Sequence, residues 1–424
     1  MREEFPQGYY AASAAAVPAR AAVLGTLRAD FCVVGAGFTG LNAALTLAEA
    51  GAQVVAVEAE TVGFAASGRN GGQIHTGLRK TQMALESWLG AAHARDLWKL
   101  TEESKLLLRA RIARHGIACD LKDGLVIAAH DRAALRELAD DTAHMVEAYG
   151  YAARMMDAGE TAQRLGTDVY RGARWDGGGG HLHPLKYARG LAAAAEQAGA
   201  RIFEQSRVLS MDEDKAGVNL RCAKGTIVAD KALLATDAFA GDLAPSLAPY
   251  IAHVESFIVA TAPLSPETNA RVLPCDAAVA DTRHVLDYYR KSADGRMLYA
   301  GREAYWSPPK DVARLVRPRM AKVYPMLADA AIDYAWSGTV GITRTRMPHL
   351  GRLSERTLFA HGYSGQGVAL ANMGGTVMAE AALGDPERFE VFARVPARRF
   401  PGGRYLRKPL VTAGLVWFKI LDGL

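Results

Sequence analysis

The stretch Ala29–Ala59, ADFCVVGAGFTGLNAALTLAEAGAQVVAVEA, decides the fold. Its apolar run predicts a short buried strand over Phe31–Val34, leading into Gly35-Ala36-Gly37-Phe38-Thr39-Gly40. Leu41, Leu45 and Leu47 then mark a helix, Gly51 stops it, and Val54–Val57 forms a second strand ending in Glu58. Strand, glycine turn, helix, strand and terminal acid make a βαβ unit with the dinucleotide fingerprint. Gly35 permits the tight turn, Gly37 lets a pyrophosphate approach the backbone, Gly40 lets helix and strand pack closely, and the helix start supplies N–H groups for phosphate charge. Glu58 is placed to accept hydrogen bonds from ribose hydroxyls, and its charge would repel a 2′-phosphate. The order of the pieces carries the reading, because 42 glycines in 424 residues match the glycine spacing by chance elsewhere.

Eight residues past Glu58 begins ASGRNGGQIH, residues 66 to 75. Its glycines suit either an ordinary polar turn or a second close approach of backbone to the same nucleotide, and the position after the fingerprint favours the approach. The length predicts two domains, and 22% charged residues is the balance of an ordinary globular protein. The net charge of +5 is spread along the chain, which argues against a nucleic-acid partner. Cys32, Cys119, Cys222 and Cys275 have no metal-ligand spacing, so no metal is expected and a reducing, cytoplasmic compartment is. The segment Ala11–Val23 is a poor signal-peptide core and no span reads as membrane-crossing.

Further motifs follow: GHLHPLKYARGL (180–191), YAWSGTVGITRTRMPHLGRL (334–353), AHGYSGQGVALANMGG (360–375) and PGGRYLRKPL (401–410). With VVGAGFTGLNAAL and ASGRNGGQ, in this order, the chain resembles the FAD-dependent amine oxidoreductases of the D-amino-acid oxidase superfamily, and within it the γ-glutamylputrescine oxidase group. The resemblance implies an α/β fold: a Rossmann-like FAD-binding domain from residues 1–90, 180–245 and 335–390, and an α+β substrate domain on an antiparallel sheet from 91–179 and 246–334. Residues 391–424 would pack on the body as a tail. It implies FAD rather than NAD. Gly35, Gly37, Phe38, Thr39, Gly40, Glu58 and Ala59 would hold the dinucleotide, with Ser67, Gly68, Arg69, Asn70, Gly71, Gly72 and Gln73 beside it. Val208 would meet the adenine through its main chain, and Ala235 and Thr236 would return beside the pyrophosphate. Gly341 and the loop Gly362, Tyr363, Ser364, Gly365, Gln366, Gly367 and Val368 would meet the flavin, the loop's N–H groups stabilising negative charge on the reduced ring.

The chemistry so implied is hydride transfer from an amine-bearing carbon to the flavin, giving an imine that water hydrolyses to an aldehyde, with O2 or another electron acceptor taking the electrons. The site must present the neutral amine, since a free alkylamine has a pKa of about 10.4. His75, His183 and His361 are candidates for a proton-accepting or orienting role, although His183 precedes the helix-starting Pro184 and the others flank glycine turns. His75, Arg302 and Tyr289 are the expected substrate-side residues: Arg302 to clamp a distal carboxylate, Tyr289 as wall, with Tyr305 a further wall candidate. Ala369 stands where sarcosine oxidases carry a lysine, and no cysteine lies near GITRTRMPH, which disfavours sarcosine and implies non-covalent FAD. Gln366 replaces a histidine found in many relatives. The apolar LVTAGLVWFKIL, residues 410 to 421, reads as a helix packed on the body rather than a membrane foot.

Overall fold

A computed structural model describes residues 8–301 and 311–402 in full, and residues 302–304 as backbone. The fingerprint strand extends further than its apolar run: Gly25–Val34 lies at the centre of a sheet ordered His349–Arg352, Thr357–His361, Gly225–Leu234, Gly25–Val34, Val54–Val57, Arg201–Phe203. The four pairings from Thr357–His361 through to Arg201–Phe203 are parallel, as a doubly wound nucleotide-binding sheet requires. Strand alternation divides the apolar run between two cores. Phe31, Val33, Val54 and Ala56 face the helices, while Cys32, Val34, Val55 and Val57 face the antiparallel ribbon of Val208–Asp214, Gly217–Cys222 and Gly225–Leu234.

On the helical side the fingerprint helix Phe38–Glu49 packs between Pro184–Gln197 and Gly367–Leu383. Leu41, Leu45 and Leu47 are fully buried there, each contributing about 1.5–3 kcal/mol. The helix Ala91–Arg114 joins the same core through Ala94, Leu97, Leu100 and Leu108. An expected boundary at residue 91 separates this helix from the nucleotide domain, but its amphipathic face is covered by that domain. Its Arg111 is buried among neutral acceptors on two neighbouring helices: Asn42 Oδ1, Thr46 Oγ1 at 2.7 Å and Thr376 Oγ1 at 3.1 Å. Asn42 in turn donates to Asn372 Oδ1 at 2.5 Å, which also accepts from the Tyr187 hydroxyl at 2.6 Å.

The second sheet runs Ile332–Thr343, Ile251–Thr261, Met297–Ala304, Tyr288–Lys291, Ala278–Asp281, Lys122–Ala129, Gly172–His181, Gln73–Ile74. It is antiparallel except where Ala278–Asp281 pairs parallel with Lys122–Ala129. The helix Val312–Val323 backs one of its faces, burying Val316, Met320 and Val323 among Phe257, Val259 and Tyr299. Among the described residues no helix is long and apolar enough to cross a membrane. Tyr305 and the tail segment 410–421 lie outside the described residues.

Two glycines make the helical layer possible. A Cβ on Gly40 would stand 1.8 Å from the Gly35 carbonyl oxygen, and one on Gly375 would stand 2.1 Å from the Thr39 carbonyl oxygen. Backbone cannot yield as a flexible side chain can, so Gly375→Ala must push the helix Gly367–Leu383 away from the fingerprint helix. The expected loss is at least about 1–3 kcal/mol of stability, the cost of overpacking a tight core. Urea unfolding of the variant against the parent measures it.

Candidate active site

The dinucleotide end is built around Gly35, whose φ of 105° no side chain tolerates well and whose Cβ would meet the Ala235 carbonyl at 2.6 Å. Ala235 and Thr236 therefore sit against the fingerprint turn. Gly37 has a different neighbour from the one expected: its Cβ would meet Ser67 Oγ at 2.8 Å, and that hydroxyl accepts from the Phe38 N–H at 2.9 Å. Glu58 ends its strand with Oε2 accepting from Ala36 N–H at 2.8 Å and Oε1 from Glu60 N–H at 3.1 Å. Burial pushes its carboxyl above the usual range, opposed by those N–H donors. Ser206 donates its N–H to the Glu58 carbonyl at 2.7 Å, which brings the segment entering Val208 alongside.

The turn at residues 66 to 75 uses its unusual composition mostly on itself. The Asn70 amide donates to the Ala66 and Ser67 carbonyls at 2.9 and 3.1 Å, and its Oδ1 accepts from Gly72 N–H at 2.7 Å. Gly68 passes so close to the chain that a Cβ would lie 2.2 Å from the Gly63 oxygen, and at Gly72, with φ of 74°, 2.0 Å from that of Leu182. Gly71 admits the Tyr288 ring. The buried Arg290 fixes the turn by donating to the Gly71 carbonyl at 2.7 Å and the Leu182 carbonyl at 2.9 Å. The Arg69 carbonyl accepts from the Trp336 indole at 3.0 Å.

The second glycine loop is held by a residue absent from the sequence expectation, Asp237. With φ of 41° it turns its carboxylate to accept from Gly362 N–H at 2.8 Å and Gly341 N–H at 3.3 Å, joining three separate chain segments. Burial raises its carboxyl and the N–H groups oppose the rise. Its signal in the sequence was an acid directly after a buried strand, in a turn of small residues. The loop also contains Ser364 at φ of 54° and is closed by Tyr363, whose hydroxyl accepts from Thr39 Oγ1 at 2.9 Å.

Whether a flavin dinucleotide fits these residues is answered by what they leave unmatched. Thr236 Oγ1 and Gln366 Oε1 are buried without a hydrogen-bond partner, one at each glycine loop. The helices that begin at those loops, Phe38–Glu49 and Gly367–Leu383, have no side-chain bond from their own N-cap residues. The helices starting at Gln82, Arg132, Ala158, Pro184, Pro266 and Val312 are capped in that way, while Ala91–Arg114 and Glu387–Ala393 share the missing cap, so the orphaned groups rather than the caps mark these two loops out. An orphaned hydroxyl on one loop and an orphaned amide oxygen on the other, beside two helix starts of which one has its Phe38 N–H taken by Ser67 Oγ, suit a polar cofactor.

Next to the loops opens a cleft of about 940 Å³. Its floor is one face of the second sheet: Val254, Ser256 and Ile258 alternate along one strand and Gly338, Val340 and Ile342 along its neighbour. Asn70 to Gln73, His75, Tyr288, Ser364, Gly365 and Val368 line it, as do Arg69, Arg79 and Arg346, and among the described residues of the lining none is acidic. Arg346 holds φ of 62°, unusual for a residue with a Cβ. Tyr289 corrects the expectation of a wall residue. It is 1% exposed, stacked on Tyr299 at 5.2 Å, and faces the core behind the sheet, while Tyr288 takes the cleft side with its hydroxyl 2.8 Å from Ser256 Oγ. The side chain of Arg302 lies outside the described residues; its backbone pairs with Phe257. Gly341 meets Asp237 rather than the cleft. Ala369 is buried in the helical core.

The three histidines separate. His75 alone lines the cleft, and burial, then Arg79, lowers its pKa to about 4. His361 sits behind the glycine loop with Nε2 2.8 Å from His349 Nδ1, both rings lowered by burial. His183 caps the helix Pro184–Gln197, its Nδ1 accepting from Lys186 N–H at 3.2 Å. Burial lowers its pKa to about 3, so the folded ring stays neutral where an unfolded one would charge near 6.5. Its contribution to stability is therefore complete above about pH 6.5 and drains as pH falls towards 3. His183→Asn keeps a capping acceptor that does not titrate, so its melting temperature should fall less between pH 7 and pH 5 than the parent's; scanning calorimetry at the two pH values checks this.

At the nucleotide end, Glu58→Ala should remove hydrogen bonds worth about 1.5–3 kcal/mol and weaken FAD retention by about one to two orders of magnitude. Flavin fluorescence on dilution measures the release.

Comparison with known proteins follows the same lines. Residues 30–381 match the family model described as FAD dependent oxidoreductase. The chain is 38% identical over 427 residues to the gamma-glutamylputrescine oxidoreductase of Escherichia coli strain K12, covering 99% of each. To the probable oxidoreductase OrdL of Haemophilus influenzae it is 39% identical, covering 93% of this chain and 92% of that protein. Among solved structures, glycine oxidase from Geobacillus kaustophilus superposes with a TM-score of 0.73 at 22% identity, over 84% of this chain and 95% of that one.

Proposed function

The chain belongs to the family of FAD-dependent oxidoreductases, and from that membership we propose that it oxidises an amine borne on an extended, carboxylate-bearing polar chain of the γ-glutamylputrescine kind. The observation that carries the substrate reading is the cleft wall, which Arg69, Arg79 and Arg346 all line. Such a wall favours an anionic end of the substrate over a free diamine. Arg302 is the further anchor we assign, from its place in the strand Met297–Ala304, the neighbour of the cleft-floor strand Ile251–Thr261.

FAD would be held by the fingerprint glycines and helix start, by Glu58 and Ala59 at the ribose, by the Val208 segment at the adenine, by Ala235 and Thr236 at the pyrophosphate, and by Ser67–Gln73, Gly341 and Gly362–Val368 around the ring. The chemistry it supplies when bound is a two-electron sink for a hydride from the amine-bearing carbon, with O2 as final acceptor and H2O2 as product. His75 accepts a hydrogen bond from the amine nitrogen. Its low pKa keeps it an acceptor across neutral pH, so it orients the neutral amine and leaves the proton of the ammonium form to solvent. The sheet face of Val254, Ile258, Val340 and Ile342 excludes water from the alkyl chain. The imine product takes up water and splits into an aldehyde and an amine or ammonia. All four cysteines lie away from the cleft lining, which supports non-covalent FAD in a cytoplasmic enzyme.

Anaerobic mixing with γ-glutamylated amines, plain diamines, sarcosine and D-alanine, followed by bleaching of the flavin band, tests the proposal. The γ-glutamylated amine should bleach the flavin fastest, and admitting air should restore colour with release of peroxide. Faster bleaching by sarcosine or D-alanine would overturn the substrate class, and recovery only with an artificial dye would replace O2 as acceptor.

A further inference from the structure

His75 is the cleft histidine, but the proton that decides what it offers is set from behind. Gln73, 6% exposed on the short strand Gln73–Ile74, turns its amide nitrogen toward two main-chain carbonyls, Val279 O at 2.8 Å and Tyr289 O at 3.4 Å. A carbonyl only accepts, so the atom facing this pair must be the NH2 group, and the amide cannot be flipped without setting oxygens against each other. Its Oε1 therefore faces the other way, 3.2 Å from His75 Nε2. That oxygen also only accepts, so Nε2 must carry the hydrogen.

We propose that Gln73 is a positioning residue that locks the His75 imidazole in the tautomer protonated on Nε2, leaving Nδ1 as the acceptor for the substrate amine. The inference rests on the amine oxidation proposed above. Sequence order hides the arrangement, because Gln73 belongs to a motif otherwise occupied with the turn, whereas its amide is committed to the strands Ala278–Asp281 and Tyr288–Lys291. Those two carbonyls belong to the sheet that floors the cleft, so the ring's proton is tied to the same framework that shapes the substrate site. The charged groups around the ring are Arg79 on its own segment and Asp176 and Arg174 on the strand Gly172–His181; the arginines disfavour the imidazolium and Asp176 favours it. None of them chooses between the two nitrogens. Gln73 does.

The FAD-loaded protein labelled with 15N-histidine, with His75→Asn to identify the signal by subtraction, reports the tautomer directly. The parent should show a protonated Nε2 and a bare Nδ1 on His75 at pH 8. Gln73→Met removes the acceptor and should give a ring averaging both tautomers, with kcat/KM for the amine falling about tenfold, the worth of one hydrogen bond. Gln73→Glu, with the acid protonated so that its hydroxyl donates toward the Val279 and Tyr289 carbonyls as the amide did, keeps an acceptor toward the ring and should hold Nε2–H with kcat/KM near the parent's. Flavin spectrum and thermal melt establish that each variant is folded. A parent ring protonated on Nδ1, or a ring unchanged in folded Gln73→Met, overturns the proposal whatever the substrate. A ring that behaves as expected in a protein that oxidises no amine upholds the tautomer lock and overturns the proposed function instead.

Discussion

The contact on which the rest depends is the passage of Gly375 against the Thr39 backbone. Because Gly375 has no side chain and meets the Thr39 carbonyl directly, the helices Phe38–Glu49 and Gly367–Leu383 approach within a distance that a single methyl group would forbid. Both helices start at glycine loops, and both starts are left without a cap from their own N-cap residues. Packing the two axes together therefore brings both helix starts to one side of the nucleotide sheet. The polar stitches along this seam, from Thr39 to Tyr363 and from Asn42 to Asn372, fix rotation and register where the glycines fix only distance.

From this seam the cleft inherits its position. Asp237 leaves the end of the strand Gly225–Leu234 and reaches both the glycine loop and the strand Ile332–Thr343, which belongs to the other sheet. Arg290 does the equivalent from the opposite side, reaching from the substrate sheet to the turn at Gly71. The two sheets are thus tied by side chains that end on backbone atoms of the loops. The loops are therefore held from both sheets at once.

How much of this was legible in the sequence follows the range of the interactions. The βαβ unit could be read because its signals are local: an apolar run, glycines at fixed spacing and an acid at the strand end. The helix Pro184–Gln197 and the loop at Gly362 were readable for the same reason. The phase of Tyr288 and Tyr289 was not, because two adjacent tyrosines look alike until a neighbouring sheet face decides which one meets Ser256 and which meets Tyr299. The helix Ala91–Arg114 carries an apolar face that nothing local assigns to one core or the other. Asp237 and Arg346 each depend on a left-handed backbone at a non-glycine residue, which composition does not announce. The glycines of residues 66–75 signalled close approach to a nucleotide, and what the structure sets against them is the protein's own chain.

Arg111 gives the helical layer a property that the periphery lacks. Its partners are amide and hydroxyl groups of Asn42, Thr46 and Thr376, none of which titrates, and a guanidinium stays charged at any pH the protein will meet. Burial of that charge is unfavourable in itself; the neutral contacts that offset it do not vary with acidity, while the attraction of Glu49 and Glu380 does. The buried histidines His181, His183, His349 and His361 behave in the opposite way, each held neutral by the fold. Acid therefore acts on the two sets through different groups: on Arg111 only through the nearby carboxylates Glu49 and Glu380, and on the histidines directly, by charging rings that the fold holds neutral.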